Sequence, residues 1–167
     1  MLDDKRFLKF KFEKQNNNLK IKDNEIHALF YSEKNILISN NFNANKNLLK
    51  FLNSIIKNDL SKLILVRSEQ GNFLLVKRKT LEKDLTNKYL EELGGRIYNK
   101  INTIGSSQLK IHENNISINE KISLGIILSS YKFDNYKKNK SKKKINLKNI
   151  VFICDEPYKT ASKIREV

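Results

Sequence analysis

Residues 123–137, which read SLGIILSSYKFDNYK, constrain the fold of this chain more than any other segment. Their first half is apolar and predicts a helix, in which Gly125, Ser129 and Ser130 are small enough to let another element approach closely. Three aromatic residues follow these small ones: Tyr131, Phe133 and Tyr136. Generic packing does not require this order, so we expect a tight helix contact that the aromatic residues anchor.

A second predicted helix, upstream of the first, also contains glycine. Thr86 is a good N-cap residue, and apolar residues follow it at offsets of three and four. These residues are Leu90, Leu93, Gly94, Ile97 and Ile101. Each glycine of the pair Gly94 and Gly95 costs a helix about 1 kcal/mol relative to alanine. That cost is easiest to explain if another backbone packs tightly against the helix at this point.

Strand-like and helix-like segments alternate along the chain, which predicts an α/β domain. Strands are predicted at residues 7–12, 25–31, 63–66, 73–76, 109–111 and 150–154, with a further strand fragment at Ile104. Helices are predicted at Lys46–Asn58 and, after Pro157, at residues 158–167. Turns or loops are predicted at residues 15–18, 40–47, 70–72 and 137–144. Asn119 is the predicted cap of the helix that contains residues 123–137.

Length and composition predict a soluble, cytoplasmic protein of one domain. The chain has 167 residues, and none of its apolar runs approaches the roughly 20 residues that span a bilayer. Asp3 and Asp4 open the chain without a signal-peptide core, and we expect them to lie in a frayed terminus. Cys154 is the single cysteine, so we expect no internal disulfide, and its apolar neighbours predict that it is buried.

The formal net charge of +15 suggests nucleic-acid binding as one function. Yet lysine, asparagine and isoleucine, all served by A/T-rich codons, number 28, 23 and 20, and only five of the 33 basic residues are arginine. Arginine is the residue best suited to bidentate contacts with phosphate and guanine, so we attribute most of the charge to composition. One cluster stays open between a solvated loop and a loop that contacts nucleic-acid phosphates: Lys137, Lys138, Lys140, Lys142, Lys143 and Lys144.

Two of these segments resemble signatures of the cytosolic leucyl aminopeptidase family, whose members are two-metal exopeptidases. Residues 130–137, SYKFDNYK, resemble the Ser-Tyr-Arg-Phe-Asp-x-Tyr-Lys pattern at the end of that family's N-terminal domain. Residues 90–97, LEELGGRI, resemble its Leu-Gly-Gly helix, and Leu85 and Thr86 precede them as in the family. The predicted elements follow in the same order, and the resemblance extends over about residues 60–167.

The resemblance implies a macrodomain-like fold, in which a single mixed sheet forms a three-layer α/β sandwich. It implies that residues 1–157 are the non-catalytic N-terminal domain and that residues 158–167 begin the helix leading to a catalytic domain absent here. In that family the catalytic domain holds two divalent metals (zinc, manganese or magnesium) and releases N-terminal residues from peptides. The expected partners are therefore that catalytic domain, further copies of the chain in a hexamer and, as in some members, nucleic acid. We expect no membrane partner.

No residue of this chain matches a metal ligand or catalytic residue of that family, so we expect neither a cofactor nor catalysis from this chain alone. His27 and His112 lie far apart outside any His-Glu-x-x-His motif, and we expect isolated, ordinary histidines. Asp155 and Glu156 follow a predicted strand, and they are best explained as acids at the N-terminus of the helix that Pro157 begins. The five glycines form no nucleotide-binding motif, which also speaks against ADP-ribose binding.

One segment departs from the family. Where its members have a glycine-containing turn after the strand that precedes the Leu-Thr helix, residues 76–80 of this chain read VKRKT. Backbone N–H groups of such turns can cradle an anion. The resemblance therefore assigns no anion-binding role to this loop.

Three functions remain open on the sequence. The first is the non-catalytic N-terminal domain of a leucyl aminopeptidase, which would serve assembly or regulation. The second is a small basic module that binds nucleic acid through the lysine cluster, with an affinity that falls steeply with salt. The third is a free-standing homologue that acts only as an assembly subunit.

Overall fold

The computed structural model describes residues 8–14, 24–33, 35–37, 46–59, 61–140 and 147–165, and in these parts of the chain seven strands and four α-helices form. The strands are β1 (Lys9–Glu13), β2 (Glu25–Ser32), β3 (Asn35–Ile36), β4 (Leu63–Ser68), β5 (Gly71–Lys77), β6 (Gln108–His112) and β7 (Asn149–Ile153). The helices are α1 (Lys46–Asn58), α2 (Asn87–Ile104), α3 (Ile116–Lys140) and α4 (Pro157–Arg165), and a short 3-10 helix lies at Glu82–Asp84.

All seven strands belong to one mixed sheet with the order β1-β7-β6-β2-β5-β4, and β3 pairs with the end of β2. The strands β1, β7, β6, β2 and β5 are parallel to one another, whereas β4 is antiparallel to β5 and β3 is antiparallel to β2. Parallel neighbours need a crossover connection, and α2 and α3 supply it between β5 and β6 and between β6 and β7. The central strand is β2, which pairs with β5 on one side and β6 on the other.

Apolar side chains cover both faces of the sheet, so the fold has three layers. On one face α2 and α3 pack against alternate residues of the strands, among them Ile26, Ala28, Leu74 and Ile111. On the other face α1 packs its buried residues Leu48, Leu52 and Ile56 against Leu29, Tyr31, Phe73 and Leu75. The mixed-sheet, three-layer α/β sandwich predicted from the sequence is confirmed.

The contact between α2 and α3 is as close as their glycines predict. A Cβ atom added to Gly94 would collide with the backbone carbonyl of Ile122, and one added to Gly125 would collide with that of Glu91. A Cβ atom on Gly95 would lie 2.6 Å from Oγ of Ser129. Each helix therefore presents bare backbone to the other, which explains why glycines occupy these helical positions despite their cost.

The predicted beginning of α2 is confirmed. The Thr86 side chain accepts a hydrogen bond from the backbone N–H of Tyr89 at 3.1 Å, which satisfies one of the N–H groups that a helix start leaves unpaired. The helix ends at Gly105, whose left-handed conformation (φ 83°) suits glycine and whose N–H donates to the carbonyl of Ile101.

Three local predictions are wrong. Ile104 is the last residue of α2 rather than part of a strand, since it continues the helical spacing of that face. Asn115, not Asn119, caps α3: its Oδ1 accepts from the N–H of Ile118 at 3.2 Å, while Asn119 is buried inside the helix. The hairpin between β4 and β5 turns at residues 69–70, and Gly71 (φ 134°) already belongs to β5.

Several predictions fall on residues outside the described parts of the chain. These are Asp3 and Asp4, the first residue of the strand at 7–12, the turn at 15–18, most of the loop at 40–47, residues 141–144 of the lysine loop and the last two residues of the helix at 158–167. The side chains of Phe133 and Tyr136, two of the three predicted aromatic anchors, also lie outside the described parts. Among the helices that are described, none combines the length and apolar character that crossing a bilayer requires.

Candidate functional site

Four ionisable side chains meet on the sheet face that α1 covers in part. β2 contributes Glu25 and His27, and β6 contributes Lys110 and His112, because alternate residues of a strand face the same side. In the parallel register His27 lies opposite Lys110, and Leu29, the next residue of β2 on this face, lies opposite His112. The four ionisable side chains therefore lie in consecutive rows of the sheet. Glu25 is 3% exposed and His27 is 1% exposed, so this histidine cluster is interior.

The two histidines share a hydrogen bond, with 2.8 Å between Nδ1 of His27 and Nε2 of His112. Only one of the two facing nitrogens can carry a proton, so one ring donates and the other accepts. Burial lowers the pKa of His27 to about 4, the charge of Lys110 acts in the same direction, and Glu25 opposes both. Burial, followed by His27 and Lys110, lowers the pKa of His112 to about 3. Both rings are therefore neutral at pH 7.

Glu25 and Lys110 are the charged members of the cluster. One carboxylate oxygen of Glu25 lies 3.5 Å from Nζ of Lys110, and the other lies 3.6 Å from Nε2 of His27. A buried carboxylate without a counter-charge is costly, and Lys110 supplies that counter-charge while the histidines stay neutral. The cluster is thus a balanced set of polar groups inside the sheet.

This geometry does not suit a metal ion. The imidazole nitrogens of His27 and His112 face each other rather than a common point, and Glu25 approaches His27 from its other nitrogen. A hydrolytic metal site needs three protein ligands around an open position for water. Within the described residues, no three His, Cys, Asp or Glu side chains are placed so as to hold a metal.

The prediction that His27 and His112 are isolated from each other is wrong. They are 85 residues apart in the sequence, but their strands are neighbours in the sheet. A polar residue inside an apolar strand was the available signal at His27. The pairing of β2 with β6 is a property of the whole topology, so no local pattern around His27 indicates its partner.

The other acidic and thiol candidates have structural surroundings. Asp155 and Glu156 directly precede α4, as predicted, and Lys159 pairs with Glu156 at 2.9 Å on the surface. The backbone N–H of Thr160 donates to the carbonyl of Glu156, within the first turn of the helix. Cys154 is buried and free, as predicted, and burial raises the pKa of its thiol. A buried thiol with a raised pKa is a poor nucleophile.

The lysine cluster does not form the predicted loop throughout. Lys137, Lys138 and Lys140 belong to the last turns of α3, because the helix continues to Lys140. Lys142, Lys143 and Lys144 lie outside the described residues. A contact between these lysines and nucleic acid stays a prediction.

The aromatic anchor predicted for the helix contact is wrong for Tyr131. Its side chain is 55% exposed, and Leu128 on the same helix is 45% exposed. The close approach of α3 to α2 is made by glycine and serine positions instead. Tyr131 and Leu128 therefore face outward from this chain.

Comparison with known proteins supports the fold. No protein-family model matches this chain, and no curated protein is found as its relative. Among solved structures, the chain is similar to a mutant of tomato leucine aminopeptidase, with a TM-score of 0.65 over 98% of this chain and 14% sequence identity. The chain spans 36% of the length of that aminopeptidase. At this identity the likeness shows a shared fold.

Proposed function

We propose that this chain is the N-terminal, non-catalytic domain of a leucyl aminopeptidase, a metallo-exopeptidase that releases N-terminal amino acids from peptides. The observation that carries the proposal is the structural likeness to tomato leucine aminopeptidase, which extends over 98% of this chain. Since the chain spans 36% of that enzyme, the larger part of an enzyme of that length would hold the catalytic site.

The interior of the described residues favours a structural role. The sheet buries its ionisable residues as the balanced cluster of Glu25, Lys110 and two neutral histidines. The glycine contact between α2 and α3 fixes two helices against each other at backbone distance. A rigid framework of this kind suits a domain that positions other domains or subunits.

Exposed apolar side chains on α3 and α4 suit a contact with the rest of such an enzyme. Leu128 and Tyr131 project from α3, and Tyr158 on α4 is 90% exposed. In the proposed enzyme, residues 1–157 form the domain and α4 begins the helix that connects it to the catalytic part. Further copies of the chain, in a hexamer, are the other proposed contact.

The two divalent metals of the proposed enzyme (zinc, manganese or magnesium) would belong to its catalytic domain. The described residues do not fit them, because the one buried histidine pair is bonded to itself and no third ligand converges on it. Peptide substrates would likewise bind only the catalytic domain, in a cytoplasmic enzyme.

The test is to isolate the native protein from its source cells with an antibody raised against this chain. We expect the isolated protein to release leucine from a leucyl anilide, to lose that activity in EDTA and to regain it with manganese or zinc. The recombinant 167-residue chain, assayed in parallel with the same metals, should be inactive. Activity of the recombinant chain alone, or an inactive native protein after metal is restored, would overturn the proposal.

A further inference from the structure

Residues 77–80 of the segment VKRKT, where the chain departs from the aminopeptidase pattern, line a groove of about 550 Å³. The groove lies where β2 and β5 end, and it is closed by the residues before α2 and by α2 itself. Its lining includes five basic residues: Lys62, Lys77, Arg78, Lys79 and Arg96. Two acids, Glu33 and Asp84, are the only acidic residues that line it among those described. We call it the basic groove.

Most of the positive charge in the basic groove is unpaired. Arg78 forms an ion pair with the mostly buried Glu113, at 3.1 Å, and is thereby neutralised. Within the described residues, the other four basic side chains form no ion pair. Four cations and two acids leave an excess of positive charge in one concave surface, which attracts and holds anions.

Contacts made by Arg78 and Lys79 hold the loop after β5 in place against the rest of the protein. The Arg78 guanidinium donates to the carbonyl of Lys79 at 2.9 Å and lies over the ring of Phe30, 5.6 Å from its centroid. The backbone N–H of Lys79 donates to the hydroxyl of Tyr89 at 3.1 Å, and its ammonium lies 4.9 Å from the centre of that ring. The loop that carries the charges is therefore tied to both β2 and α2.

The position and chemistry of the basic groove point to a ligand. In open α/β sheets, ligands bind outside the carboxyl ends of the strands where the chain changes direction across the sheet, and β2 is the strand that divides β5 from β6. The volume lies within the range of small-molecule sites. Arginine forks and lysine point charges are the usual phosphate ligands, and the hydroxyls of Ser32 and Thr80 add donors.

We propose that the basic groove binds a small anion that carries two or more phosphate groups. Side chains would supply the contacts that backbone N–H groups of a glycine-rich turn supply elsewhere, so the site does not need the glycines that this segment lacks. The lysines before β4 and at the end of β5 would neutralise one phosphate group, and Arg96 on α2 would bind another. This site is independent of peptidase activity, because it is built from residues of this chain alone.

The experiment is a calorimetric titration of the 167-residue chain with tripolyphosphate at about 150 mM salt, where the Debye length of roughly 8 Å suppresses long-range attraction. The groove variant is Lys62→Gln with Lys77→Gln, and both side chains are exposed and make none of the contacts that hold the loop, so the fold should be kept. The matched control is Lys11→Gln with Lys163→Gln, which removes the same charge from exposed positions on β1 and α4. Arg96→Gln is a second groove variant on a different element.

We expect the groove variant to bind tripolyphosphate at least about tenfold more weakly than the unaltered chain, as the loss of charge-assisted hydrogen bonds predicts. Arg96→Gln should also weaken binding, while the control should change the affinity by less than about twofold because it leaves the groove intact. Equal weakening in the groove variant and the control would show attraction by net charge alone and overturn the proposal. Absence of binding by the unaltered chain would overturn it as well.

Discussion

Replacing Gly94 or Gly125 with alanine tests how closely α2 and α3 approach. In an exposed helix, each substitution would stabilise the protein by about 1 kcal/mol through helix propensity. Here the new Cβ atom would meet backbone on the facing helix: the carbonyl of Ile122 for Gly94, and that of Glu91 for Gly125. Backbone cannot rotate away as a side chain can, so the two helices must move apart.

The net effect follows from the balance of these two terms. Overpacking a well-packed contact costs about 1–3 kcal/mol, and a collision with backbone belongs at the upper end of that range or above it. After the gain in helix propensity, each substitution should lower the free energy of unfolding by about 2 kcal/mol. For a chain of this size, that corresponds to a fall of roughly 4–8 °C in melting temperature. Because both glycines serve one helix contact, the double variant should cost less than the two single costs added together.

The assay is thermal and urea unfolding followed by circular dichroism, with Gly95→Ala as the matched control. A Cβ atom there would meet Oγ of Ser129, whose hydroxyl can rotate away, and its other neighbours are at ordinary contact distance. The control should therefore change the stability by less than about 1 kcal/mol in either direction. If Gly94→Ala and Gly125→Ala stabilise the protein as exposed sites would, the close helix contact is refuted.

Three further predictions concern pH, helix capping and nucleic acid. Because the folded protein holds the pKa values of His27 and His112 below the usual 6.5, the unfolded chain binds more protons in acid than the folded protein does. The free energy of unfolding should therefore be intact above pH 6.5 and fall from there towards about pH 4, by up to about 1.4 kcal/mol per pH unit for each histidine. Urea midpoints that do not change between about pH 7 and pH 4.5 would contradict this. Thr86→Ala removes the bond to the N–H of Tyr89 and should lower the unfolding free energy by about 1 kcal/mol in urea melts, whereas Thr86→Ser should retain most of it. If the lysines at residues 137–144 contact nucleic acid, filter binding of an oligonucleotide should weaken steeply between about 50 and 200 mM salt and show little sequence preference. An affinity that does not change with salt concentration would exclude that contact.

The local features of the fold could be predicted from the sequence. Thr86 as a cap residue, followed by apolar residues at helical spacing, predicts α2, and the glycines within that spacing predict its close neighbour. Ile104 shows the limit of this reasoning: an apolar residue three positions after Ile101 fits either the last turn of the helix or a new strand. The end of a helix depends on the cap, and Gly105 is the residue that decides it.

The histidine cluster and the basic groove could not be predicted from local sequence patterns, because both depend on which strands become neighbours. His27 meets His112 only since the chain passes from β5 over β2 to form β6 on the far side. The basic groove likewise combines Lys62, the segment after β5 and Arg96, which three separate elements bring together. Long-range pairing of this kind is set by the topology as a whole rather than by any local pattern.

The most direct test of the proposed function is the mass of the native polypeptide that contains this sequence, measured by intact mass spectrometry after antibody capture from the source cells. We expect one polypeptide well above the 19.6 kDa of this chain, in which these residues precede a catalytic domain with two metal ions. A native polypeptide of 19.6 kDa would contradict it, and the chain would then have to act by binding or assembly alone.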